Sequence, residues 1–140
     1  MTSGRVIIDS GVWIGARYKN DQYREKALAI VEAFLNKQIK EVHLTDYVLV
    51  ETINFLLRKE GYETASEALD SFLQSERVII RYVDKMMLMR IRELAQRYKG
   101  LSLTDCSLAV LAEETGISEV FSFDAAFDKV KDIQRSEEIR

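Results

Sequence analysis

Short β-branched runs alternate along the chain with longer stretches that carry apolar residues at helical spacing. Residues 5–9 (RVIID) form an apolar run that ends in an acid and predict a buried strand. Residues 22–36 carry Ala27, Ile30, Val31, Phe34 and Leu35 at three- and four-residue intervals and predict a helix. Residues 41–45 (EVHLT) predict a strand, and 46–59 a helix with Asp46 as N-cap and Gly61 as stop. Residues 64–74 predict a helix opened by a Thr64/Glu67 capping box. Residues 77–83 (RVIIRYV) predict a strand, and 85–99 and 104–115 predict helices closed by Gly100 and Gly116. Residues 119–123 (EVFSF) predict another strand, followed by a short helix near 125–131 and a last edge strand near Ile133.

Strands that alternate with helices imply βαβ units, hence an α/β fold with a mostly parallel sheet flanked by helices on both faces. With no proline and no Gly/Ser-rich linker, residues 1–140 read as one domain. In such sheets ligands bind at the carboxyl ends of the strands, which directs attention to the polar residues placed there.

Composition narrows the chemistry. No apolar run reaches the roughly 18 residues of a membrane span, and the acid in MTSGRVIIDSG interrupts what would be a signal-peptide core. Cys106 is the sole cysteine, which excludes an intrachain disulfide and fits a reducing, cytoplasmic compartment. His43 is the sole histidine, so neither a Cys/His zinc site nor a two-histidine acid–base pair can be built. Carboxylates are left as the working groups. The net charge of −3 argues against a nucleic-acid partner, unless several acids hold divalent cations that reverse the local field.

Four acids fall at the working edge. Asp9 ends the first strand, Asp124 follows EVFSF, Asp105 opens the 104–115 helix and Glu51 lies within the 46–59 helix. Taken singly, Asp9 and Asp124 read equally well as helix caps, and Ser102-Leu103-Thr104-Asp105 matches a capping box. On a helical wheel, Leu49, Val50, Ile53, Leu56 and Leu57 make one apolar face, and Val48 and Phe55 a second patch. Glu51 shares the remaining stripe with Tyr47, Asn54 and Arg58. A helix greasy on two sides should be deeply buried, and its Glu should have a partner. The plainer alternative is a solvated stripe with Glu51 loosely paired to Arg58.

As an ordered set, VIIDSG, VLVETINFLL, LSLTDCSLAVLA and VFSFDAAF resemble the acid pattern of PIN domains from Val6 to about Phe127, and in length and layout VapC-like toxins in particular. The resemblance implies a PIN-like, Rossmann-like fold and a metal-dependent endoribonuclease acting on single-stranded RNA. It implies that Asp9, Glu51, Asp105 and Asp124 form a catalytic centre for Mg2+ or Mn2+. Thr104 matches the hydroxyl residue before the third acid, Ser10 could assist beside Asp9, and Asp128 could reach the metal or face solvent. The toxins of this group pair as homodimers and are silenced by a small cognate antitoxin, for which the apolar helices at 65–73 and 85–95 could supply contacts. Candidate cations for the RNA strand are Arg17, Lys19, Arg58, Lys59, Arg97 and Lys99. Arg58 stands first because it shares the Glu51 stripe. Tyr18, Tyr47 and Trp13 could stack on bases, with core packing favoured for Trp13 and for Cys106. The rival readings are a non-catalytic PIN-like RNA- or protein-binding module and a housekeeping nuclease with no toxin role. An aspartyl-phosphatase reading is disfavoured by Gly11, which stands where a second Asp would be needed.

Overall fold

The computed structural model describes residues 4–139. Residues 1–3, which begin the stretch read against a signal peptide, and residue 140 lie outside that description. Strands β1 (Arg5–Ile8), β2 (Glu41–Thr45), β3 (Val78–Arg81), β4 (Glu119–Phe121) and β5 (Gln134–Ser136) form one sheet in the order β3-β2-β1-β4-β5. Each neighbouring pair is parallel. Helices α1 (Ser10–Arg17) and α2 (Arg24–Leu35) connect β1 to β2, and α3 (Asp46–Glu60) and α4 (Tyr62–Gln74) connect β2 to β3. Helices α5 (Lys85–Arg97) and α6 (Leu103–Thr115) carry the chain from β3 back past β1 to β4, and a 3-10 turn (Ala125–Lys129) leads into β5.

The first two crossovers step one way along the sheet and the third reverses. Right-handed connections therefore put α1–α4 on one face and α5–α6 on the other. The reversal opens a crevice between β1 and β4, where a doubly wound sheet binds its ligands.

A sheet covered on both faces needs strands that are apolar on both sides. Val6, Ile7, Ile8, Val42, Leu44, Val120 and Phe121 have no exposed surface. Trp13 packs edge-on against Phe72 at 5.0 Å and Phe34 at 6.5 Å, and Cys106 is buried in the same core. Both are packing residues.

Four local expectations are corrected. Thr45, the last residue of β2, caps α3 by accepting from the Val48 amide at 3.4 Å, while Asp46 is already helical. The Asp46 carboxylate instead accepts from the Val83 amide at 2.9 Å, tying α3 to the segment after β3. A single residue, Gly61 (φ 94), joins α3 to α4, so α4 starts at Tyr62 and Thr64 lies inside its first turn with no capping role. Helix α5 is capped by Asp84 and ends at Arg97, before Gly100 is reached. The deep burial expected of α3 is absent: Val48, Leu49, Thr52 and Leu56 are buried, but Val50 and Leu57 are half exposed and Glu51 is exposed. The helix presents one buried stripe, as a surface helix does.

Candidate active site

Strand β1 is central, so its last residues emerge in the crevice. Asp9 follows it directly and keeps an extended backbone while α1 begins at Ser10, which makes it an N-cap. One carboxylate oxygen, Oδ1, accepts from the Ser10 amide at 2.7 Å. The other, Oδ2, accepts from the Ser122 hydroxyl at 2.8 Å. The Ser10 hydroxyl donates to Glu51, which brings the exposed glutamate of α3 alongside Asp9. Glu51 thus pairs with the Ser10 hydroxyl rather than with Arg58, although it is not buried as the wheel had implied.

Asp105 completes a capping box at the start of α6. Ser102 Oγ accepts from the Asp105 amide at 3.0 Å, and the Asp105 carboxylate accepts from the Ser102 amide at 3.4 Å. Cap and site are therefore not alternatives, because an acid at a buried helix start is held in place by the bonds that make it a cap. Asp124 caps the 3-10 turn, accepting from the Ala126 amide at 2.9 Å, and lies beside Asp105.

The charges interact strongly. Burial raises the Asp9 pKa to about 7, with repulsion from Asp105 and more weakly Glu51 adding to it, against the hydrogen bonds from Ser122 and Ser10. Burial, followed by repulsion from Asp124, raises Asp105 to about 6. Asp9, Glu51, Asp105 and Asp124 thus line one open groove of about 520 Å³, together with Ser10.

The other expected residues lie as follows. Thr104 and Arg58 line an adjoining hollow of about 560 Å³ that shares Glu51 with the groove. Arg58 is exposed and makes no ion pair with the described residues. Asp128 is held by Arg135 through two bonds of 2.9 and 3.2 Å and does not line the groove. One helical turn past Asp124 would have aimed it at the acids, but the tighter 3-10 turn carries it to β5 instead. Tyr18 packs edge-on against Phe55 at 5.3 Å, and Arg17 donates to Ser71 in a separate apolar hollow.

Ser122 was not anticipated. Its hydroxyl donates to Asp9 and accepts from the Asp124 amide at 3.0 Å, so one buried residue holds both acids. The signal was the lone hydroxyl in the apolar run VFSF, since a buried polar group must find partners.

Among the described residues, no three acidic, histidine or cysteine side chains converge as a finished metal cage. The donor set nevertheless fits a hard divalent ion. It is all oxygen, and its two buried carboxylates are pushed above the usual carboxylate range by burial first and by the neighbouring acids second, a penalty that a bound cation would relieve. Mg2+ characteristically takes one or two carboxylates and keeps several waters, so an open groove suits it better than a closed cage.

Comparison with known proteins agrees with this architecture. A family model described as PIN domain matches residues 6–133. A protein named VapC ribonuclease from Archaeoglobus fulgidus is 29% identical over 124 residues, covering 86% of this chain and 78% of that one. Among solved structures, VapC20 of Mycobacterium tuberculosis, described as a sarcin–ricin loop cleaving toxin, superposes with a TM-score of 0.77 at 20% identity, covering 90% of this chain and 95% of that one. A toxin–antitoxin complex from Klebsiella pneumoniae gives 0.69 at 17% identity, covering 96% and 99%.

Proposed function

Because the chain belongs to the PIN-domain family, matched from residue 6 to residue 133, we propose that it is a Mg2+- or Mn2+-dependent endoribonuclease of the cytoplasm and the toxin of a toxin–antitoxin pair. One observation carries the reading. Two buried carboxylates, Asp9 and Asp105, are forced towards their protonated forms in an open groove that Glu51 and Asp124 also line. A fold does not normally retain such repulsion without a ligand that relieves it.

Asp9 and Asp105 would hold the ion, with Asp124 and Glu51 at its margins. When bound, the ion supplies Lewis-acid stabilisation of the phosphodiester and a water acidic enough to attack it, so no protein nucleophile is required. Ser122 and Ser10 fix the orientation of Asp9, and Ser10 turns Glu51 towards the groove. Arg58, which pairs with no acid among the described residues, would neutralise a strand phosphate entering by way of the adjoining hollow. Hydrolysis by water leaves a 3′-hydroxyl and a 5′-phosphate.

The names of the relatives support the toxin assignment. A cognate small antitoxin and a homodimeric state belong to the same proposal. Purified protein should cleave single-stranded RNA with Mg2+ or Mn2+ and lose that activity in chelator, and Asp9→Asn and Asp105→Asn should each be slower by orders of magnitude. Full cleavage in excess chelator, or by both variants, overturns the mechanism. Expression should slow growth and Asp9→Asn should relieve it. Harmless overexpression of active protein in the absence of its partner gene would leave a housekeeping nuclease.

A further inference from the structure

The groove has an aromatic wall that the acid chemistry does not use. Tyr23 and Phe123 both line it, with ring centroids 4.4 Å apart and planes inclined by 14°. One face of the Tyr23 ring is therefore covered by Phe123, yet 37% of the residue is exposed. The Tyr23 hydroxyl makes no hydrogen bond with the described residues. The pair is anchored at both ends. The Tyr23 amide donates to Asp21 Oδ1 at 2.8 Å, and Phe123 stands between Ser122 and Asp124, the residues that set the acidic centre.

We propose that the stacked Tyr23–Phe123 pair is a platform for one base of the RNA strand, setting which phosphodiester lies over the acids. The inference rests on the nuclease reading above. A flat ring already backed by a second ring loses little freedom when a base is laid on it, and every base offers a π-face. Because Phe123 adjoins Asp124 in the chain, the stacked nucleotide lies next to the acidic centre. Arg58 borders the hollow that opens beyond Glu51. The strand is then held by a base at one end and by a phosphate at the other, with the acids between. A platform of this kind selects unpaired nucleotides, since a base within a duplex has both faces covered.

The test separates stacking from packing. Tyr23→Leu keeps an apolar contact with Phe123 and removes the π-face, whereas Tyr23→Phe keeps the face. For a short single-stranded RNA, Tyr23→Leu should raise KM about tenfold with little change in kcat, while Tyr23→Phe should stay near wild type. In the Asp9→Asn background, a 2-aminopurine placed next to the scissile bond should lose fluorescence on binding, and the added Tyr23→Leu change should restore it. A KM unchanged in Tyr23→Leu, or quenching that survives the substitution, overturns the platform while leaving the nuclease intact. A wild-type protein that neither binds nor cleaves RNA overturns the nuclease reading and the platform with it.

Discussion

At the scale of single residues, the site is defined by protons as much as by positions. Asp9 and Asp105 ionise well above the ordinary carboxylate value of 3.8. A carboxyl whose folded pKa is raised holds its proton more tightly in the native state, so its contribution is greatest below pH 3.8 and is lost as pH climbs through about 6 and 7. Metal-free protein should therefore melt lower at pH 8 than at pH 5.5 on account of these two groups. Asp9→Asn should melt several degrees above wild type at pH 8, with the gap closing as pH falls, and scanning calorimetry across that range would reveal it. A gap independent of pH would assign the effect to packing. Ser122→Ala removes the hydrogen bond to Asp9 Oδ2 and the acceptor for the Asp124 amide. Such outer partners of ligand carboxylates typically carry about 10–100-fold in metal affinity or activity. A loss in that range is expected, read by metal titration and steady-state rate, with Ser122→Thr recovering part of it. That four acids share one groove was foreshadowed by their order and neighbours in sequence. Ser122 was not, since only the pairing of β1 with β4 brings it to Asp9.

At the scale of elements, the strands and most helix bodies followed from hydrophobic period alone, whereas their ends did not. Thr45 caps α3 in place of Asp46 because the chain turns from β2 into the helix without a linking residue, a fact of tertiary geometry that propensity does not encode. Glu51 could not be placed by the wheel either. The period locates a stripe of apolar residues but not how much of it the neighbouring elements cover, and Val50 and Leu57 remain half exposed. The junction of α1 and α2 carries a further consequence. A Cβ at Gly15 would stand 2.8 Å from the Ala27 Cβ and 3.3 Å from Asp21 Oδ1. Gly15→Ala must therefore push α2 away or shift Asp21, at about 1–3 kcal/mol for an overpacked contact. Chemical denaturation should show a loss of that size, and RNA affinity should fall with it because Asp21 holds the Tyr23 amide. Unchanged stability would mean that the two helices part freely.

At the scale of the whole molecule, charge is unevenly committed. Arg81, Arg90 and Arg135 are each engaged by carboxylates, in the pairs Arg81–Glu114, Arg90–Glu113 and Arg135–Asp128. Arg58 pairs with none among the described residues, and the net charge is −3. RNA should therefore bind with a shallow dependence on salt. Arg58→Ala should weaken affinity about equally for all sequences and reduce the magnitude of the log–log salt slope by about 0.7, the share of one phosphate on a single strand. Filter binding over a salt series would measure it, and an unchanged slope would remove Arg58 from the path of the strand. The sheet order has a consequence of another kind. Asp9 lies beside β4, whose residues 120 and 121 pair with residues 7 and 8, so the first acid waits for the last. A ribosome that has made Asp9 needs on the order of ten seconds more to reach Asp124. Throughout that interval the nascent chain holds half a crevice, with the first acid in place and the last not yet made. The groove can close only when the chain has reached its fourth strand, so its assembly is the late event and the folding of the first half is not.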